Sequence, residues 1–490
     1  MLRFTLQAVL ALSSVLTTAC ARTIASNNLD ARDSAPQHRD GFPIPNPTES
    51  YWQDPPSRIA NLRTTEDLPT DQLFDYVIIG SGISGAAVAY KLLNRNPDLS
   101  ILMLEGRTAA SAATGRNGGH CKAGSYKSIK KWIDAYGEDE GLRIAKMEQD
   151  CVDDLRDFVL SNNVSSSWQD VETADVYWTT EALEAAIEVV EYQKELEKRR
   201  PDEAPQNERT VYVGDAAREK WQWPEILGAV VYRAHTQNPY HTVTAMLEFA
   251  LEKGLNLQTN TMALKISQKK ASCGSTTWEI KTERGTVRGK QAVLATNSYT
   301  NALHPGFAST NFIEPDRSQI SVVHPSKDTS DNPVFRRSSS YPDLHSGNNY
   351  IAIRAPGDAG AGDVIIGGST QFSPTREANL TDDSVINEDI ANNLRKVGRV
   401  VYGHKNWGDD TQVIKDWTGI TCTTPDGLPL VGGVPQEEGL WAIVCMNGHG
   451  MGWSFRSAEA LVDLMTEGST KEWFPEAFRS ERAWKIAGEL

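Results

Sequence analysis

The 490-residue sequence predicts an α/β fold, in which a Rossmann-type nucleotide-binding domain is interleaved with a smaller α+β domain built on a mainly antiparallel sheet. Three observations carry this expectation. A strand–glycine turn–helix–strand unit occupies residues 75–105. A second strand–glycine turn–helix unit follows near the end of the chain, at 440–465. The length exceeds what one simple layered core fills. The expected division is a leader over 1–21 and an extended arm over 22–70. The nucleotide-binding domain then comprises 71–165, 230–304 and 405–490, and the second domain 166–229 and 305–404.

The first unit opens with Tyr76-Val77-Ile78-Ile79, an apolar run of the kind that forms a buried parallel strand. Gly80-Ser81-Gly82-Ile83-Ser84-Gly85 follows at once. Ala86 to Asn94 then reads as a helix, and Ile101-Leu102-Met103-Leu104 as a second strand ending at Glu105. In such a G-x-G-x-x-G unit the first glycine permits a tight turn. The second lets backbone approach a pyrophosphate, and the third lets helix and strand pack closely. The helix N-terminus offers unpaired N–H groups and partial positive charge to phosphates. Glu105 stands where a carboxylate accepts both hydroxyls of an adenosine ribose. The fingerprint alone does not choose between NAD and FAD.

Composition narrows the partners. Acidic residues number 64 and basic residues 49, a net charge of −15, which argues against nucleic acid. Met1 to Ala21 reads as a secretory signal: Arg3 is the positive start, Phe4 to Leu16 the apolar run, and Ala19-Cys20-Ala21 the cleavage site. The run is too short to span a bilayer, so the expectation is a secreted chain without a membrane partner. Cleavage would leave Cys121, Cys151, Cys273, Cys422 and Cys445, an odd set with no scaffold spacing and no metal-ligand spacing. No metal site is expected. Asn163-Val164-Ser165 and Asn379-Leu380-Thr381 are glycosylation sequons.

Taken in order, Arg22 to Thr70 is rich in Pro, Asn, Asp and Ser and reads as an arm with little secondary structure, with Ser50-Tyr51-Trp52 as an anchor onto the body. Glu138 to Asn162 and Thr180 to Arg199 have helical spacing. Val211 to Val231 holds strand-like pieces. Tyr240 to Glu252 is a helix started by Asn238-Pro239. Leu257 to Ile266, Trp278 to Arg284 and Gln291 to Asn297 read as strands. Phe312 to His324 and Tyr350 to Thr370 belong to the second domain, and Asn387 to Val401 is helical. From Val413 the chain re-enters the first domain, with a strand at Leu440 to Cys445 and a helix at Ser454 to Met465.

Directly after the nucleotide unit, Thr114-Gly115-Arg116-Asn117-Gly118-Gly119-His120 forms a second glycine-rich turn. With Asp416-Trp417-Thr418-Gly419, Thr424-Pro425-Asp426-Gly427-Leu428-Pro429 and Asn447-Gly448-His449-Gly450-Met451, it resembles the D-amino-acid oxidase class of FAD-dependent enzymes. Glycine oxidase, sarcosine oxidase and γ-glutamylputrescine oxidase belong to that class. The resemblance runs from about Asp75 onwards and extends to the S-Y-W segment of the arm.

The resemblance implies FAD held by three groups of residues. Gly80, Ser81, Gly82, Ile83, Ser84, Gly85, Glu105, Gly106 and Arg107 would serve its nucleotide end. Thr114, Gly115, Arg116, Asn117, Gly118, Gly119, His120 and Cys121 would lie along its flavin side. Ala295, Thr296, Asp426, Gly448, Gly450 and Met451 would close the site. Some relatives bind the flavin methyl group covalently through a histidine near this point. Here Cys121-Lys122-Ala123-Gly124 occupies that register with His120 one residue earlier. Attachment through either side chain, or packing without attachment, both remain open.

The class also implies the chemistry. Hydride passes to flavin N5 from the carbon beside the nitrogen of an amino acid or of a primary or secondary amine. Water hydrolyses the imine, and O2 is reduced to H2O2. His449 either donates to the flavin ring or packs its turn. Tyr350 and Arg354 match a Tyr-x-x-x-Arg pattern ahead of Gly367-Gly368 in which the arginine clamps a substrate carboxylate; a salt-bridge arginine is the alternative. A monomer is expected. Two rivals share these residues: a tailoring oxidoreductase of a secondary-metabolite pathway, and a flavin-bearing binding protein without turnover.

Overall fold

The computed structural model describes residues 40–270, 276–329, 331–341 and 349–488. The leader, the first part of the arm and Cys273 lie outside the described residues. The chain alternates between two sheets. β1 (Leu73–Ile79), α1 (Ile83–Arg95) and β2 (Ile101–Leu104) form the opening unit. β3 (His120–Cys121), α2 (Ser125–Tyr136), α3 (Glu138–Ser161), β4 (Gln169–Tyr177) and α4 (Thr180–Arg199) follow. Then come β5 (Thr210–Val213), α5 (Asp215–Trp221), β6 (Gly228–Thr236), α6 (Pro239–Glu252) and β7 (Asn256–Gln258). β8 (Ala263–Lys270), β9 (Thr276–Thr282), β10 (Gly285–Leu294), α7 (Thr300–Leu303) and α8 (Pro305–Thr310) lead to β11 (Glu314–Pro325). β12 (Ser338–Tyr341), β13 (Asn349–Ile353), β14 (Val364–Gly367), α9 (Glu388–Trp407) and β15 (Thr411–Thr423) come next. β16 (Leu430–Gly433), β17 (Leu440–Val444), α10 (Gly450–Glu467) and α11 (Arg482–Ala487) complete the chain.

The first sheet has the order β16-β17-β10-β1-β2-β7, with β9 and β8 hanging from β10. Its centre is parallel: β10, β1, β2 and β7 run together, and β17 joins them. Val77, Ile78, Leu102, Met103, Val293 and Leu294 are fully buried because helices cover one face and an apolar layer the other. The second sheet has the order β15-β11-β14-β13-β12-β4-β6-β3, with β5 on β6. Every pairing in it is antiparallel except β12 with β4.

Several elements differ from expectation for local reasons. α1 starts at Ile83, because Gly85 is small enough to sit inside the first turn. The strand-like stretch after Val211 contains α5: Ala216, Ala217, Arg218 and Glu219 are strong helix formers once Gly214 has turned the chain. The single strand expected over 257–266 is two, β7 in the parallel sheet and β8 beside β9. β3, β6 and β15 lie in the second sheet, although their sequence, all but the first two residues of β6, falls within stretches assigned to the nucleotide-binding domain. Among the described residues no helix is long and apolar enough to cross a membrane.

Candidate active site

The glycine loop between β1 and α1 shows which glycine does what. Gly80 has φ +105°, and a Cβ there would lie 2.5 Å from the Ala295 carbonyl oxygen. A Cβ on Gly85 would overlap the Gly80 carbonyl. Both positions are closed by packing. Gly82 has φ −64°, and its Cβ would meet only Thr114 Oγ1, at 3.1 Å. The space in front of the second glycine is therefore open, which is what a pyrophosphate requires.

Buried Glu105 accepts the Ser81 N–H at 3.1 Å, the Ser81 hydroxyl at 2.6 Å and the Arg107 N–H at 2.8 Å. Thr114 Oγ1 accepts the Ile83 N–H at 2.9 Å and so ties the second glycine-rich turn to the start of α1. Ala295 donates its N–H to Ile79 at 2.9 Å, and Thr296 bonds Thr300, which places both residues at the C-terminal end of the parallel strands. Gly106 faces the Met262 side chain. The Arg107 guanidinium pairs instead with Asp383 at 3.0 Å.

The second turn is gripped from outside by the arm. Ser50 Oγ donates to the Gly115 carbonyl at 2.6 Å, Gln53 to the same carbonyl at 3.0 Å, and the Trp52 indole to the Asn117 carbonyl at 2.5 Å. Arg116 donates to the Thr48 carbonyl at 2.5 Å and the Thr418 carbonyl at 2.7 Å. Its guanidinium thus clamps arm to β15. Asn117 bonds within the turn, accepting the Gly119 N–H at 2.8 Å. On the inner side, the Tyr350 ring fills the space that a Cβ on either Gly118 or Gly367 would need. The His120 ring lies 5.5 Å from that of Tyr350, and its buried Nε2 has no hydrogen-bond partner. Burial first, then the Lys122 ammonium, holds the His120 pKa well below the usual value, so the ring is neutral. Cys121 turns its sulfur to the Met451 carbonyl at 3.5 Å, and burial pushes its pKa up.

The third piece is the start of α10. Gly448 has φ +72°, His449 caps the helix, and the Ser84 and Ser454 hydroxyls meet at 3.1 Å, so the N-termini of α1 and α10 converge. A Cβ on Gly450 would approach Ile83 at 3.8 Å. The His449 Nε2 lies 3.8 Å from the Cβ direction of Gly124. The His449 side chain is exposed, with Nδ1 3.3 Å from the Asn447 carbonyl; partial desolvation, and then the charges of Lys127 and Lys122, lower its pKa. Asp426 pairs with Arg482 at 2.6 Å, accepts the Leu428 N–H at 3.1 Å and accepts the Thr424 hydroxyl at 3.0 Å, holding the loop beside Asn447.

Arg354 is likewise paired. Its guanidinium stands 3.4 Å from Asp358, donates to Ser167 Oγ at 3.2 Å and lies 5.4 Å over the Trp52 ring. The cavity among Trp52, Gly118, Ser167 and Arg354 measures about 10 Å³, one water at most. The arginine is paired with Asp358 and stacked on the arm, and its buried Nε has no hydrogen-bond partner. The structure shows the salt-bridge alternative for Arg354, with Nε left over.

The structure instead assembles a polar row that local sequence did not reveal. Across the second sheet, Gly367 opposes Tyr350, Tyr350 opposes Ser340, and Ser340 opposes Asp175. Directly opposed residues share a face, so these side chains look the same way, toward the glycine-rich turn that Tyr350 touches. Fully buried Asp175 accepts Tyr126 Oη at 2.5 Å, Lys127 Nζ at 2.9 Å and Tyr232 Oη at 3.1 Å. Lys122 Nζ lies 3.9 Å from it and donates to Ser340 Oγ at 2.7 Å. Burial alone would raise the Asp175 pKa, but the ammonium groups of Lys127 and Lys122 outweigh it and hold the carboxyl below its usual value. Burial pulls Lys122 down to about 8. Glu148 is 2 % exposed, accepts the Gly124 N–H at 3.1 Å and is pushed up to about 8 by burial. Tyr350 and Gly367 are expected from the Tyr-x-x-x-Arg pattern, and Lys122 has its place inside the turn motif; Ser340, Asp175, Lys127 and Glu148 carry no sequence signal.

Comparisons with known proteins agree with this arrangement. A family model described as FAD dependent oxidoreductase matches residues 75–464. The chain shares its fold with L-amino acid deaminase from Proteus vulgaris (TM-score 0.64, 17 % identity, 86 % of this chain and 99 % of that one). It also shares it with glycine oxidase from Bacillus cereus ATCC 14579 (TM-score 0.61, 15 % identity, 83 % and 97 %). The probable oxidoreductase OrdL of Haemophilus influenzae is 21 % identical over 237 residues, 47 % of this chain and 50 % of that protein. The chain thus spans about half the length of the curated relative it matches. FAD fits the residues present: an open second glycine, two converging helix N-termini, and an orphaned imidazole nitrogen beside the glycine turn. With four-fifths of its length under one family model, the chain belongs to the FAD-dependent oxidoreductases of the D-amino-acid oxidase family.

Proposed function

We propose that the chain is a secreted oxidase that removes two electrons from the C–N bond of an amine or amino acid and delivers them to O2, forming H2O2. Bound FAD supplies the two-electron acceptance and the transfer to dioxygen. In this reading Gly82 and the N-terminus of α1 hold the pyrophosphate, and Glu105, positioned by Ser81, the adenosine ribose. Gly118, Gly119 and His120 flank the flavin, and the N-terminus of α10 at Gly448 to Met451 meets its electron-rich edge.

The observation that carries the substrate reading is the polar row of Tyr350, Ser340 and Asp175 with Lys122 and Lys127. Two lysines face one carboxylate there. A buried row that already holds two amino groups disfavours a further cation, so the amine nitrogen sheds its proton beside it, and only an unprotonated amine gives up the neighbouring hydride. Tyr350 and His120, ring to ring at 5.5 Å, lie at the end of the row nearest the glycine turn. Secretion is supported by the leader and by both sequons, whose asparagines Asn163 and Asn379 are exposed.

The test is to mix the purified yellow protein anaerobically with primary amines, secondary amines and amino acids, follow flavin absorbance, then admit air and measure peroxide. Bleaching followed by stoichiometric peroxide is expected. Bleaching without peroxide on re-aeration would make it a dehydrogenase. A flavin that no amine bleaches would point to the binding-protein alternative.

A further inference from the structure

Lys122 leaves β3 one residue after Cys121, and the two side chains part. The Cys121 sulfur turns to the Met451 carbonyl, whereas Lys122 Nζ donates to Ser340 Oγ at 2.7 Å. Ser340 is flanked in register by Tyr350 on β13 and Asp175 on β4, so Nζ sits within the polar row, one strand from the phenol that touches Gly118. The lysine side chain is only 12 % exposed. Its neighbour Lys127, 35 % exposed, takes the Asp175 carboxylate at 2.9 Å, which leaves Lys122 the longer contact to the same carboxylate, 3.9 Å. An amino group so placed is held by one hydroxyl and one ring, that of Tyr232 at 5.6 Å.

We propose that Lys122 is the base of this site: its unprotonated Nζ takes the proton from the substrate's ammonium nitrogen before the C–N bond is oxidised. The inference rests on the amine reading above. The step is a proton transfer with no change of oxidation state. One N–H bond of the substrate breaks, one N–H bond forms on Nζ, and the electron pair stays on the substrate nitrogen. The ammonium formed on Lys122 is stabilised by Asp175 at 3.9 Å. The titratable groups around Nζ are Asp175 of β4 (whose carboxylate also accepts Tyr126 of α2), Lys127 of α2, Glu148 of α3, Tyr232 of β6, His120 of β3 and His449 at the start of α10. Burial, with Lys127 acting in the same direction, outweighs Asp175 and Glu148 and draws Lys122 down to about 8. At neutral pH about a tenth of the molecules then hold the free base, enough to feed a step that drains it.

The experiment uses the holoenzyme with glycine, sarcosine, L-proline and benzylamine as probes, measuring the anaerobic rate of flavin bleaching from pH 6 to 10. Wild type, Lys122→Met and Lys122→Arg are compared at equal FAD content. For the fastest probe the wild-type rate constant should rise with pH and level off near pH 8. In both variants the rise should move to the probe's own amine pKa, with a loss of about 100-fold at pH 7. Added ethylamine should partly restore the methionine variant. Independently of turnover, ¹³C-methylated wild-type protein should show one lysine resonance, absent in Lys122→Arg, that titrates near 8. An unchanged pH profile in both variants overturns the inference and leaves the amine reading standing. So does a loss confined to KM, which would make Lys122 a binding group. If no probe bleaches the wild type, the amine reading and this inference fall together.

Discussion

Tyr350 and Gly118 are in such close contact that the phenol ring occupies the volume a Cβ on the glycine would need. One contact thereby joins the second sheet to the glycine-rich turn, and it fixes how far the polar row lies from that turn. Gly118→Ala should force the ring aside and cost about 1–3 kcal/mol by overpacking. Lower thermal stability and weaker FAD retention are expected. Gly118→Ala with Tyr350→Ala should recover most of the loss, and a double variant as unstable as the single one would show that the contact is not the cause.

The three glycines of the first loop should separate in their effects. Gly82→Val places its branches in open space at an ordinary φ, so the protein should fold and lose FAD. Gly80→Ala and Gly85→Ala should fail to fold stably, because their Cβ atoms meet backbone carbonyls. Flavin content after gel filtration, beside a melting curve for each variant, decides this. Normal flavin in Gly82→Val would displace the proposed pyrophosphate site.

Arg354 pairs with Asp358 and stacks on Trp52. Arg354→Ala should therefore destabilise the protein by a few kcal/mol, because a partly buried carboxylate loses its partner. It should also expose the arm to proteases near residue 52, with kcat/KM falling less than about tenfold. A loss of several hundred-fold with an unchanged melting temperature would favour the carboxylate clamp.

Glu148 gives a pH signature. Its pKa is raised from 4.5 to about 8 by burial, so the folded state holds a proton that the unfolded state releases. Its contribution to stability is fully present below about pH 4.5 and is lost as pH rises through about 8. Glu148→Gln keeps an acceptor for the Gly124 N–H and removes the titration. Melting temperatures between pH 5 and 8.5 should fall less steeply in the variant than in the wild type. Parallel curves would assign the slope to other groups.

Asn163 and Asn379 are both exposed. Native protein should lose mass on treatment with a glycosidase, and Asn163→Gln with Asn379→Gln should abolish that loss. Native protein that is not glycosylated and retains Met1 would remove the secretory proposal.

What the sequence determined by itself was local backbone chemistry. The runs at Tyr76 to Ile79 and Ile101 to Leu104, the spacing of Gly80, Gly82 and Gly85, and Glu105 after the second strand lie within about thirty residues. Their geometry follows from period and from glycine's missing Cβ. The same holds for Gly448 to Met451 ahead of α10. Tertiary structure decided everything that depends on partners distant in the chain. Lys122, Asp175, Ser340 and Tyr350 become neighbours only through the parallel pairing of β12 with β4 and the antiparallel pairing of β12 with β13. No periodicity announces such a register. Arg354 and Asp426 read from sequence as site residues because their motifs fit. Asp358 with Trp52, and Arg482, claim them in the fold, since a buried charge takes the partner that packing brings within reach.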